Sequence, residues 1–334
     1  MRNHAYIDLN ALRVNARKIK KRLPRGVKLC AVVKADAYGH GACRVAKALF
    51  GIADRLAVAL PEEGRELRYA GERREILVLS ALQQGDEDPV VRHGLTATVC
   101  ERADVFRLQN ACEAQGKTVC VHVKLNTGMN RLGADGKTLD GLLAAFADCP
   151  LVRLTGVYSH LADPCDEEFT AAQTALFDLL CARVKAVAPD ATVHLSASGG
   201  FLKGLYYDMV RIGILLYGYA PFPSAFSCRP IMRVTAPVIA CRYVRRAERV
   251  FYGKQLKQKS GYLSVLRYGY ADGLPRSDGF FRCMDASAVE KREKIGKECD
   301  ILKKNANEIA QKCGTINYEV LVNAARRAEK IYLE

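Results

Sequence analysis

No CxxC pair, no apolar run of membrane-spanning length and no internal repeat or low-complexity stretch occurs in this 334-residue chain. Each absence excludes something. The 13 cysteines are scattered, and Cys30, Cys120 and Cys241 sit inside apolar runs. Neither a disulfide framework nor a zinc cluster is expected, no metal is called for, and the thiols should be reduced, as in a cytosol. Without about 20 consecutive apolar residues there is no candidate membrane span. The opening Met1-Arg2-Asn3-His4-Ala5-Tyr6 has no apolar signal-peptide region, so a cytoplasmic location is expected. A total of 51 Lys and Arg against 36 Asp and Glu leaves a formal charge of +15, which invites a nucleic-acid reading. The cations are spread along the chain, apart from a cluster of Lys291, Arg292, Lys294, Lys297, Lys303 and Lys304. No helix-turn-helix, zinc-finger or aromatic RNP pattern accompanies them. The expectation is a solvated basic face that also draws in anionic small ligands, with neither nucleic acid nor membrane as partner.

What is present is the texture of a soluble globular protein, 49% apolar and 26% charged, long enough for a large barrel and a smaller domain. Asp8 can cap a helix whose apolar positions Leu12, Ala16, Ile19 and Leu23 share a face, and Pro24-Arg25-Gly26 stops it. Leu29 to Val33 is an apolar run ended by turn residues, the pattern of a buried parallel strand. Short strands are predicted again at 55–60, 76–79, 96–99, 119–125, 154–158, 192–195 and 208–211, with helices between them, the clearest over 166–186. Eight strands alternating with helices suggest an α/β fold, a (β/α)8 TIM-type barrel over residues 1–224. After Pro221-Phe222-Pro223 the text turns to alternating Val, Ile, Arg and Tyr. A mainly β C-terminal domain is expected over 225–334, with a helix over 305–312 stopped by Gly314.

In a barrel the polar residues at the C-terminal ends of strands are the candidates for function. Lys34 ends the first strand, where desolvation would favour its neutral, nucleophilic form. Lys124 and Arg131 end and follow the fifth, His160 follows the sixth and Ser198 the seventh. Arg211, Gly213 and Ile214 lie at the end of the eighth or just beyond it. A lone lysine, glycine or histidine at such a place is ordinarily structural; recurrence at successive strand ends is what carries the case. Ser198 with the Gly213 and Ile214 amides fits a phosphate, and a phosphate near a strand-end lysine suggests pyridoxal 5′-phosphate (PLP) bonded to Lys34.

The stretches AVVKADAYGHG, KLNTGMNRLG, GVYSHLAD, MVRIGILLYGYAP, YGYADGLPR, CMD and GTINYE together resemble the alanine racemase family, in the same order and through nearly the whole chain. The resemblance implies a PLP barrel with a β domain, working as a head-to-tail homodimer whose active sites take residues from both subunits. It makes Lys34 the PLP lysine and the base on the D-alanine side. Tyr270 becomes the opposing base on the L-alanine side, supplied by the partner. Arg211 resembles the arginine at the pyridine nitrogen, and Arg131 the residue at the PLP phenolic oxygen. Lys124 resembles the lysine that can be carbamylated to hold that arginine. Tyr38, Ser198, Gly213, Ile214 and Tyr318 resemble the phosphate shell, and His160 the group hydrogen-bonded to the catalytic tyrosine. Met284, through its backbone, and Arg131 resemble the contacts to the substrate carboxylate, with Asp285 a polar neighbour near the entrance. The implied activity is interconversion of L- and D-alanine, supplying D-alanine for cell-wall peptidoglycan.

Two departures stand out. Asn126 and Asn130 occupy positions where the family commonly has Asp and Gly. Tyr270 and Met284 are also far closer in sequence than is usual in the family, and the segment around 279–295 is short. Either the β domain is shortened there or residues are omitted; omission is the favoured reading, because internal truncation would expose unpaired strand edges. Two other activities compete. A racemase of the same fold acting on serine or another amino acid is the nearer one, and Tyr318, placed to crowd the substrate methyl, favours alanine over it. A non-catalytic PLP-binding barrel would lack the YGYADG tyrosine, so Tyr270 argues against that reading.

Overall fold

The computed structural model describes residues 2–245, 248–252, 254–255, 260–276, 281–303 and 305–334. The chain divides into two compact units, one of Arg13–Ala35 with Ala42–Cys228, the other of Met1–Leu12 with Asp36–Gly41 and Arg229–Glu334. The N-terminal strand β1 (His4–Asp8) belongs to the second unit. The next eight strands form the parallel sheet of the first: β2 (Lys28–Val32), β3 (Arg55–Val58), β4 (Ile76–Ala81), β5 (Thr96–Val99), β6 (Val119–Lys124), β7 (Val152–Tyr158), β8 (Thr192–His194) and β9 (Met209–Ile212).

Their hydrogen-bonded order runs from β8 back through β2 to β9. Two backbone bonds join the ends of that series: Asp208 N–H donates to Val193 O at 3.0 Å, and Arg211 N–H to Ser196 O at 2.9 Å. The ring is thereby closed as a barrel, with no exposed sheet edge. Strands in a closed parallel ring are covered on both faces, which is why Leu29, Ala31, Val58, Val121 and Val210 are all buried and the sequence runs read as continuously apolar. The helix Glu167–Val187 starts where Asp166 accepts a hydrogen bond from Phe169 N–H at 2.9 Å, and buries Gln173, Phe177, Leu180 and Val184. Phe169 and Leu176 are each 39% exposed.

The second unit is built on a mainly antiparallel sheet. Its strands are β1, β10 (Met232–Val244), β13 (Gly261–Leu266), β14 (Phe281–Arg282), β15 (Ser287–Val289), β16 (Glu298–Lys303) and β17 (Glu329–Leu333), beside a separate pair of β11 (Arg249–Val250) and β12 (Lys254–Gln255). The 13-residue β10 is the spine, pairing with β1, β13 and β16. Gly314, in the left-handed region at φ 65°, ends the helix Ala306–Cys313.

The sequence reading places residues 1–224 in one domain, whereas the structure puts His4–Asp8 between β10 and β17. Ala5 and Ile7 point into that unit's core and His4, Tyr6 and Asp8 away from it. The alternation is legible, but its partners lie more than 200 residues away and no local pattern names them. The short segment of concern around 279–295 pairs β14 with β15 and β15 with β13; residues 277–280 lie outside the described residues.

Candidate active site

Lys34 stands just past β2, at the head of the turn Lys34–Tyr38, and is half-buried. Burial and the cations Arg131 and Arg211 hold its pKa below the ordinary lysine value, against the opposing pull of Glu63. Glu63 itself is engaged by backbone: its carboxylate accepts from Ala35 N–H and Ala59 N–H, both at 2.6 Å. It therefore ties the end of β2 to the end of β3.

Lys124 is the last residue of β6 and is buried, its ammonium 4.3 Å from the Tyr158 ring centroid. Burial, then Arg211 and Arg131, push its pKa down to about 7. In the loop that follows, Asn126 Oδ1 accepts from Gly128 N–H at 3.2 Å and Asn130 N–H at 3.0 Å, and its amide donates to Asn130 Oδ1 at 3.0 Å. Asn130 sits at φ 54°. Asparagine tolerates that left-handed conformation, so the departure from glycine leaves the turn intact. Arg131, exposed, follows directly.

Arg211 is fully within the barrel. Its guanidinium donates to the carbonyls of Ser159 (2.7 Å), His194 (2.9 Å) and Leu195 (3.0 Å) and lies 4.9 Å from the Tyr158 centroid. Its hydrogen-bond partners include no carboxylate, and burial lowers its pKa to about 10. His160 Nδ1 is 3.3 Å from Arg211 Nη2, and burial followed by the same cation drives the imidazole toward its neutral form. Ser198 is buried and opens the short helix Ser198–Leu202. Gly213 and Ile214 begin the tight turn after β9, in which Leu216 N–H donates to Gly213 O at 2.8 Å. The barrel thus brings together Lys34, Lys124, Arg131, His160 and Arg211, the four cations all acting on the His160 imidazole. Sequence reasoning missed Tyr158, His194 and Glu63; Tyr158 was legible as the last residue of its strand, two residues before His160.

The other candidates belong to the second unit. Asp36, Ala37 and Tyr38 follow one another in the left-handed region, at φ 51°, 54° and 55°. Such a run costs roughly 1–2 kcal/mol per residue and needs holding. His40 Nδ1 lies 2.8 Å from Ala37 O and 3.0 Å from Tyr38 O, and Lys330 pairs with Asp36 at 2.8 Å. Gly39 is obligatory here, since a Cβ would come within 2.9 Å of Leu321 O. The turn delivers Tyr38 to Tyr318, ring centroids 5.9 Å apart, and burial pushes the Tyr318 phenol up to about 12.

Tyr270 starts a single 3-10 turn, Tyr270–Asp272, and is 36% exposed. Asp272 accepts from Gly269 N–H at 2.8 Å to fix the turn. Tyr270 N–H donates to Cys283 O (3.0 Å) and Ala271 N–H to Met284 O (3.1 Å). Despite the short spacing, Met284 is therefore seated beside Tyr270, so closely that a Cβ on Gly269 would lie 2.0 Å from Met284 O. Asp285 pairs with Arg327 at 3.8 Å.

A closed (β/α)8 barrel with a cationic, lysine-bearing mouth, joined to a mainly β unit, defines the class. Residues 7–221 match the family model described as alanine racemase, N-terminal domain. The chain is 37% identical to the alanine racemase of Prochlorococcus marinus over 292 residues, 83% of this chain and 76% of that protein. It superposes on the alanine racemase of Clostridium difficile 630 with a TM-score of 0.93 at 30% identity, covering 100% of this chain and 96% of that one. The Bartonella henselae alanine racemase, described with covalently bound pyridoxal phosphate, matches with a TM-score of 0.88 at 25% identity over the whole of both chains. The chain belongs to the alanine racemase family.

Proposed function

We propose that this protein is a PLP-dependent alanine racemase that interconverts L- and D-alanine by a two-base mechanism. The observation that carries the reading is the gathering of Lys34, Lys124, Arg131 and Arg211 at one barrel mouth, where each lowers the pKa of a neighbour. A cluster of cations suits a multiply anionic ligand, and an amine whose pKa is held below the ordinary lysine value suits bonding to an aldehyde. The residues present therefore fit PLP. When bound, PLP supplies the carbonyl that joins to amines and the conjugated ring that acidifies an amino acid's α C–H.

In this reading Lys34 Nζ takes or returns the proton on the D-alanine side, and Tyr270 Oη does so on the L-alanine side. Racemisation requires a base on each face of the α-carbon, and each is worth roughly 10²–10⁴ in rate. Arg211, a fixed donor, leaves the ring nitrogen unprotonated and so restrains side reactions. Arg131 orients the phenolic oxygen and the substrate carboxylate, with Met284 as its backbone counterpart. Lys124, neutral in large part near pH 7, is suited to carbamylation and to holding Arg131. Tyr38, Ser198, Gly213, Ile214 and Tyr318 hold the phosphate, and His160 orients the tyrosine base. Two subunits in a homodimer share each site, in the cytoplasm, and D-alanine goes to peptidoglycan. Among the described residues no helix is long and apolar enough to cross a membrane. Tyr318 favours alanine over serine as substrate, although an added hydroxyl in an apolar pocket is rejected by only about 1–3 kcal/mol.

The test is an absorbance spectrum of the PLP-supplied protein with borohydride trapping, followed by racemase assays on alanine and serine. A visible band, a reduced adduct on Lys34 and faster turnover of alanine are expected. A colourless protein with no adduct at Lys34 overturns the proposal.

A further inference from the structure

Beneath Arg211 the barrel interior carries a file of polar side chains that the two-base scheme does not use. Arg211 Nη1 lies 2.7 Å from His194 Nδ1, and His194 Nε2 lies 2.8 Å from His122 Nδ1. His122 Nε2 lies 3.6 Å from Glu75 Oε1, and Glu75 Oε2 lies 3.0 Å from Arg55 Nη2. Both histidines are fully buried. Gly156 on β7 makes room for the file, because a Cβ there would come 2.5 Å from the His122 ring. Tyr158 stacks on His194 at 4.8 Å with 6° between the planes, so that ring cannot turn freely.

The direction of the file follows from its first member. A guanidinium only donates, so His194 accepts at Nδ1 and carries its proton on Nε2. His122 in turn accepts at Nδ1 and carries its proton on Nε2, which faces Glu75. At that last step two buried atoms, His122 Nε2 and Glu75 Oε1, have no hydrogen-bond partner among the described residues and face each other across a gap too narrow for water. A small shift closes the bond.

We propose that Glu75, held by Arg55, is the far terminus of this file and positions Arg211 through His122 and His194. The inference rests on the reading that Arg211 faces the bound cofactor ring. By accepting from His122 Nε2–H, Glu75 reinforces the tautomers that donation from Arg211 selects, so His194 keeps its lone pair toward the guanidinium. Glu75 precedes β4 and Arg55 opens β3, so a residue at the strand-start end of the barrel sets the geometry at the strand-end mouth. Glu75, His122 and His194 are positioning residues in this scheme. Burial supports it independently by pushing the His122 pKa down to about 3, which keeps the imidazole neutral.

Nitrogen-15 histidine NMR tests the file in the protein as purified and again after PLP is added. Neutral Nε2–H tautomers at both His122 and His194 are expected; an Nδ1–H tautomer at either, or an imidazolium at His194, overturns the proposal without any variant. In Glu75→Leu we expect mixed tautomers at His122 and a kcat lowered roughly tenfold, with KM for alanine moved by less than about twofold. Glu75→Gln, which keeps an acceptor oxygen, should recover most of the loss. A Glu75→Leu protein with wild-type tautomers and wild-type kcat sinks the role of Glu75, and wild-type tautomers with reduced kcat sink the positioning argument. Should Glu75→Leu fail to fold, the wild-type spectrum and the Glu75→Gln kinetics still decide. Failure of the wild-type protein to take PLP at Lys34 is a different outcome: it removes the racemase reading while leaving the tautomers readable.

Discussion

The Lys124 ammonium lies 4.3 Å over the face of Tyr158, and the Arg211 guanidinium lies 4.9 Å from the same ring centroid. One aromatic ring thus serves two cations, neither of which has a carboxylate partner there among the described residues. Cation–π attraction offsets only part of the cost of burying them. The consequence is a lysine whose pKa is about 7 instead of 10.5.

That depression has a sign that can be measured. Between about pH 7 and 10.5 the unfolded chain keeps Lys124 protonated while the folded chain does not, so stability rises with pH in that window by ~1.4 kcal/mol per unit. Below pH 7 the penalty is fully present. Lys124→Met should therefore stabilise the protein more at pH 7 than at pH 10, and paired denaturant titrations at those two pH values check it. A neutral amine is also the form that reacts with carbon dioxide, so labelled bicarbonate should give a carbamate signal in the wild-type protein that Lys124→Met lacks.

Tyr270→Phe should keep the visible band of the lysine-bound cofactor and lose roughly 10²–10⁴ of turnover. In deuterium oxide the α-hydrogen of D-alanine should still exchange, while that of L-alanine should not. Lys34→Ala should lose the band itself. Full turnover in Tyr270→Phe would remove the second base.

The buried histidines predict acid lability. His40 and His122 have pKa values pushed down to about 4 and about 3 by burial, against 6.5 for the free side chain. As pH falls below 6.5 the unfolded chain gains protons that the folded chain refuses. Stability should drop by ~1.4 kcal/mol per unit for each histidine until its folded pKa is passed. His40→Gln should flatten the dependence of unfolding free energy on pH between 6.5 and 4 by that amount.

Asn130, at φ 54°, predicts a graded response. Asn130→Gly should be tolerated within about 0.5 kcal/mol, whereas Asn130→Val should cost about 1–2 kcal/mol. Because the turn carries Arg131, the valine variant should also raise KM for alanine. Urea melts and steady-state kinetics on the two variants separate the effects.

The eight barrel strands were readable because a strand closed into a ring is apolar on both faces and is bounded by turn residues. Lys34, Lys124 and Arg211 were readable because each interrupts such a run at its end. His122 carried a weaker signal, lying two residues before Lys124 on the same face of β6, but nothing in Val121-His122-Val123 distinguishes a partner of His194 from an ordinary buried histidine. Nor does Tyr6-Ile7-Asp8 announce pairing with Met232 and Leu333, since hydrogen-bonded strands share no local code for distant partners.

By itself, then, the order of residues determined which candidate groups stand at which strand end, because side-chain type and strand periodicity are local properties. Only the tertiary structure decided that Lys124 and Arg211 share the ring of Tyr158, that Met284 seats beside Tyr270, and that two histidines lie in file beneath Arg211. Those relationships join residues far apart in sequence, and the burial that shifts their pKa values exists only once the barrel has closed around them.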